Sequence, residues 1–90
     1  MHAVVARVSI GDFDAAGPEL RDRIVPRVKE APGFVVGHWT RGEDGTDGLS
    51  VLIFESEEQA RAAAEMIRNG PPPATVTLES VEVREVVASA

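Results

Sequence analysis

Ninety residues carry nine Lys and Arg against fifteen Asp and Glu, for a formal net charge of −6, and include no Cys. A chain of this length forms one domain, 1–90, that buries only about 60–65% of the surface its unfolded form exposes. With neither a disulfide nor a Cys/His zinc pattern to draw on, self-association is its readiest source of further buried apolar surface. The basic residues do not form a tract, which excludes nucleic acid and anionic membrane surfaces as partners, and no apolar run approaches the ~20 residues of a spanning helix. A cytoplasmic protein is the expectation.

Residues 3–10 are apolar apart from Arg7 and Ser9 and rich in Val, which predicts a strand covered on both faces rather than a signal peptide. After a Gly-Asp turn, Pro18 and Glu19 are expected to open a helix. Leu20, Ile24, Val28 and Ala31 draw one apolar stripe along it. Pro26 should kink this helix or displace its last turn, and Pro32-Gly33 should end it. Residues 34–41, in the stretch PGFVVGHWTR, predict a second strand that sets the only Trp directly after one of the two His. GEDGTDG at 42–48 reads as a hairpin loop and LSVLIFE at 49–55 as a third strand. Ser56 and Gln59 have capping-box spacing ahead of a second helix with Ala60, Ala63, Ala64 and Ile67 on one face. Asn69-Gly70 closes that helix, and Pro71 to Pro73 are expected to form a stiff extended connector. Residues 75–87 form the fourth strand. Its alternation changes phase near Ser80, which predicts a bulge.

The order is βαββαβ, an α+β ferredoxin-like fold with a four-stranded antiparallel sheet in the order 4-1-3-2. Two helices cover one face of such a sheet, yet strands one and three are apolar on both. A second copy laid on the free face, giving a homodimer, is the economical cover.

The helix stop APGF (31–34), the hairpin into a hydrophobic strand and the junction FESEEQARAAAE (54–65) resemble the dimeric α+β barrel superfamily. Within it the chain is most similar to small proteins of the antibiotic biosynthesis monooxygenase type. The resemblance runs end to end. It implies a homodimer with sheets packed face to face, and in each subunit a pocket between sheet and helices for a small apolar ligand. Members include cofactor-independent monooxygenases of aromatic substrates, haem-degrading enzymes and proteins of no known activity. The second helix here contains no His, so the axial haem ligand of the haem-degrading branch has no counterpart, and no cofactor is expected.

His38 is the candidate general base, since imidazole changes charge near neutral pH; a solvated His is the plainer alternative. Arg7, Trp39 and Phe54 are the candidate pocket residues. Strand alternation sends His38 and Trp39 to opposite faces, with Phe34, Val36 and Thr40 on the side of His38. That makes packing the competing role for Trp39. For Arg7 the competitor is a cross-strand ion pair with Glu79, Glu82 or Glu85. Glu43, Asp44 and Asp47 lack calcium-loop spacing, so no metal site is expected. No P-loop, GxGxxG or HExxH is present. Two classes of function remain: a cofactor-independent monooxygenase, or a non-catalytic module that binds a small ligand or serves assembly.

Overall fold

A computed structural model describes residues 1–70 and 75–90. The elements are β1 (His2–Ile10), α1 (Phe13–Glu19), α2 (Val25–Lys29), β2 (Phe34–Arg41), β3 (Asp47–Phe54), α3 (Glu57–Asn69) and β4 (Val76–Glu85), with a π-helical stretch, Leu20–Ile24, joining α1 to α2. All strands pair antiparallel in the order β2-β3-β1-β4. This is the expected α+β ferredoxin-like sheet, with the first and third strands central. The connector expected at 71–73 lies outside the described residues.

The first helical layer begins five residues earlier than Pro18 suggested. Asp12 is the reason: its carboxylate accepts the Ala15 N–H at 3.1 Å, capping the helix before the proline is reached. Further along, the Val25 N–H donates to the Leu20 carbonyl, a five-residue bond that widens the helix just ahead of Pro26. Proline has no N–H, and its ring crowds the carbonyl four residues back. The disturbance expected from Pro26 therefore takes the form of an extra residue in the turn ahead of it, and the last turn, Val25–Lys29, remains α-helical.

Ala60 and Ala64, one turn apart on α3, are fully buried over Val4, Leu52 and Phe54 and make the dry core with them. Their lack of bulk lets the helix axis approach the sheet closely. Ser56 caps α3 by accepting the Gln59 N–H at 3.2 Å, but Gln59 does not complete the capping box. Its side chain lies against Gly33, where φ is +78° and any Cβ would collide with the carboxamide. Gly33 is thus required twice, by its backbone and by its neighbour.

At the start of β2 the register slips: Phe34 pairs with Phe54 and Val36 with Ile53, leaving Val35 as the extra residue of a bulge. Phe34 consequently turns to the helix side, with its ring edge-on to Phe54 at 5.9 Å, and not to the side of His38 as unbroken alternation predicted. The bulge expected near Ser80 is present, since Arg7 pairs with Ser80 but Val8 with Leu78. At the edge of the sheet, the Arg68 guanidinium on α3 donates to the Val81 carbonyl of β4 at 2.8 Å. No helix among the described residues is long and apolar enough to cross a membrane.

Candidate functional site

Cross-strand register sorts the side chains onto two faces, because directly paired residues point the same way. Trp39, Ser50, Ala6 and Val81 form one row on the helix side, and Arg41, Gly48, Val8 and Leu78 form the next. The open side carries the rows Val36–Ile53–Ala3–Arg84, His38–Val51–Val5–Glu82 and Thr40–Leu49–Arg7–Ser80.

The four residues singled out in the sequence therefore separate two and two. Trp39 and Phe54 stand on the helix side. Phe54 is 0% exposed and part of the core, whereas Trp39 is half-buried and packs on that core from the edge, its ring lying over Gly37. His38 and Arg7 are exposed on the open side, with the sheet between them and Trp39. The expected ion pair of Arg7 with β4 is not formed among the described residues. The bulge sets Ser80 opposite Arg7, while Glu79 accepts the Ser9 hydroxyl at 2.6 Å and Glu82 pairs with Arg84 at 3.3 Å.

Two parts of the helix side differ in how they are closed. Under α3 the core is dry. Toward the other end, Val8, Ile10, Val76 and Leu78 from the sheet and Leu20 and Ile24 from the first helical layer are all only half-buried, and none joins the core cluster. That layer buries no residue within Leu20–Ile24 or Val25–Lys29. Among the described residues it meets the core through Val28, and through Ala31 just beyond it. A polar strut holds the two walls together at this end: the Thr75 hydroxyl donates to the Glu19 carboxylate at 2.6 Å. Among the described residues this end of the helix side is thus incompletely closed, next to the row of Trp39 and Ser50 and beside a π-helical turn, a feature frequent at functional sites.

Sequence patterning did not single out Val8, Leu20, Ile24 or Leu78 for this role. Each reads equally well as ordinary core, and only their incomplete burial sets them apart. Glu19 was read as a first-turn acid, and its bond to Thr75, 56 residues away, leaves no trace in local spacing. A separate shallow groove of about 300 Å3, lined by Ala31, Pro32, Ser56, Gln59, Ala63 and Met66 among others, reaches none of the four candidate residues. No cluster of His, Asp and Glu among the described residues can hold a metal ion.

No family model and no curated protein matches the chain. Solved structures do. A heme-free crystal structure of a heme-degrading protein from Mycobacterium tuberculosis is 32% identical, with 98% of each chain covered and a TM-score of 0.55. The heme-degrader MhuD from the same organism, with two hemes in its active site, is 29% identical over 97% of this chain and 98% of that one, TM-score 0.57. A point mutant of MhuD with two manganese protoporphyrin IX molecules per active site superposes with a TM-score of 0.65 at 23% identity, covering 100% of this chain and 98% of that one.

Proposed function

The chain belongs to the dimeric α+β barrel superfamily, as a small protein of the antibiotic biosynthesis monooxygenase-like type, and on that premise we propose that it is a homodimeric monooxygenase of a planar aromatic small molecule, bound in the cleft between the sheet and the first helical layer. The observation that carries this reading is the contrast in closure on the helix side. With Leu20 and Ile24 of the helical layer and Val8 and Leu78 of the sheet all half-buried, apolar surface remains to be covered on the helix side, and a flat hydrophobic molecule between layer and sheet would cover it. The homodimer rests on the open side, where Val36 is 41% exposed and Ile53, Val51, Val5 and Leu49 stand beside it on the same face. A cytoplasmic setting goes with a chain that has no Cys.

One of the similar structures holds two hemes in its active site, and another two manganese protoporphyrin IX molecules. Here, iron would lack an imidazole. α3 contains no His, His38 points away from the cleft, and His2 sits in the Phe54 row at the other end of the sheet with its Nδ1 buried and unpartnered. The residues present therefore fit the flat ring better than the metal, and the substrate class proposed is a polycyclic phenol or a tetrapyrrole held by its ring. In this reading Glu19, which joins the two walls, accepts a proton from the bound phenol. The substrate anion then reduces dioxygen itself, one oxygen atom entering the ring as a carbonyl and the other leaving as water. His38 takes no part.

Trp39 is the only Trp, so its fluorescence reports binding without a label. Protoporphyrin IX should quench it with similar affinity, within about threefold, with or without iron, since one missing coordinate bond would otherwise separate the two by tenfold or more. A dihydroxyanthracene should be bound and consumed with oxygen uptake. Glu19→Gln should bind it equally and turn it over at least about tenfold more slowly, while His38→Ala should turn over normally. Absence of quenching by any flat aromatic would sink the reading. Binding without oxygen uptake would instead favour a non-catalytic ligand carrier, which the scarcity of acid-base groups in the cleft already speaks for.

A further inference from the structure

The side-chain hydroxyls among the described residues are accounted for with one exception. Ser9 donates to Glu79, Thr40 to the Leu49 carbonyl, Thr46 to Asp44 and Thr75 to Glu19, while Ser56 caps α3. Thr77, Ser80 and Ser89 are exposed, where water satisfies them. Ser50 is neither bonded nor exposed: it is half-buried, and its hydroxyl has no hydrogen-bond partner among the described residues. From this hydroxyl we infer a specificity-determining contact: Ser50 binds a second oxygen substituent, at the far end of an elongated polycyclic aromatic whose phenol lies at Glu19. The inference rests on the function proposed above and narrows its substrate class.

On the helix side Ser50 stands beside Trp39 and Ala6 across the sheet and between Gly48 and Leu52 along β3. The Trp39 ring is turned over Gly37, and the other three carry no polar side chain. Nor is the hydroxyl sealed in, since the buried unpartnered atoms among the described residues are His2 Nδ1 and Gln59 Oε1. A molecule that covers this end of the sheet takes water away from Ser50, which costs about 1–3 kcal/mol unless the molecule supplies a partner. Serine both donates and accepts, so a phenol or a quinone oxygen serves equally.

The place of Ser50 relative to Glu19 sets the length of the molecule. Ser50 pairs with Val4's neighbour pair on β1 at Ala6, and Thr75, which carries the bond to Glu19, lies beside Gly11. Between those two points come the half-buried Val8, Ile10, Val76 and Leu78. The uncovered apolar strip thus has a polar group at each end. Five residues along β1 and two strands across separate the backbones at its ends by ~19 Å, taking ~3.3 Å per residue and ~4.8 Å per strand. Once the side chains and a hydrogen bond of ~2.8 Å at each end are subtracted, about three or four linearly fused rings with an oxygen at each end fill the span. A two-ring molecule reaches one end only.

Trp39 fluorescence, read without oxygen so that nothing turns over, tests the contact with four probes. Wild type should bind 2,6-dihydroxyanthracene about fivefold more tightly than 2-hydroxyanthracene, the worth of one net hydrogen bond. Ser50→Ala should bind both three-ring probes within about twofold of each other. In the two-ring pair, 2,6-dihydroxynaphthalene and 2-naphthol, the second hydroxyl should be worth less than about twofold in wild type, the statistical gain alone. A fivefold preference that survives in Ser50→Ala would overturn the contact, and an equal gain in the two-ring pair would overturn the span, while both outcomes leave the binding of flat aromatics standing. If no probe quenches Trp39, the function proposed above falls and this inference with it. Urea unfolding gives a reading independent of any ligand: Ser50→Ala should unfold at the same or a higher midpoint, because no bond within the protein is lost. A clear fall in the midpoint would show that the hydroxyl already has a partner in the chain, and would overturn the inference too.

Discussion

Beneath α3 the sheet is sealed by two alanines, and beneath the first helical layer it is not, although both helices present an apolar stripe of similar length. The difference lies in side-chain size and backbone regularity. Ala60 and Ala64 let α3 settle until both are fully buried on the sheet, whereas Leu20 and Ile24, on a turn widened ahead of Pro26, stay half-buried. A protein of this size gets its stability from the first arrangement and leaves apolar surface uncovered in the second.

The comparison can be broken most directly at its two extremes. Phe54→Ala empties the centre of the dry core and should cost about 3–5 kcal/mol, enough to unfold so small a domain; Ile24→Ala, on the other side, should cost under ~1 kcal/mol. Equal losses in urea unfolding would mean that both halves are closed alike. Next in size is Ala64→Leu, which forces a branched side chain between α3 and the sheet and should cost ~1–3 kcal/mol. A gain in Tm instead would show that space remains under α3. Removing the strut with Thr75→Val should lower stability by about 1 kcal/mol. Its sharper sign is local: amide exchange should quicken through residues 13–29 and stay unchanged in α3.

The smallest effect sits away from both halves, in the hairpin. Asp44 accepts the Thr46 N–H at 3.0 Å and the Thr46 hydroxyl at 2.9 Å, and these bonds hold its carboxyl below the ordinary carboxylate range. A group lowered in the folded state adds stability at pH values above its unfolded pKa, and that stability is lost as pH falls through the folded value. Asp44→Ala should therefore lower Tm slightly at neutral pH, by an amount that shrinks toward zero as pH falls through and below the ordinary carboxylate range. A difference that persisted in strong acid would assign it to turn geometry instead.

Most of the fold was legible because its signals are redundant. The strand order follows from element order, α3 from a capping serine and an alanine face, and the bulge in β4 from a visible change of phase at Ser80. What was hidden lay where apolarity runs unbroken. In Phe34-Val35-Val36 every residue suits either face, so an inserted residue leaves no mark on the pattern, and the inward turn of Phe34 could not be read. The separation of His38 from Trp39 was legible, being a matter of parity alone. The cleft was not. Its defining property is what Leu20 and Ile24 fail to bury, and a hydrophobic stripe looks the same whether it is fully covered or half covered.

Arg68 reaches from α3 to the Val81 carbonyl at the rim of β4, and the consequence concerns how far association can run. An exposed sheet rim with its hydrogen-bonding groups all vacant is a template on which further strands add without limit. Here one acceptor in the row is already taken by a side chain anchored on a helix, so an incoming strand would have to break that bond to lie flush. Growth by adding strands along this rim is thereby discouraged.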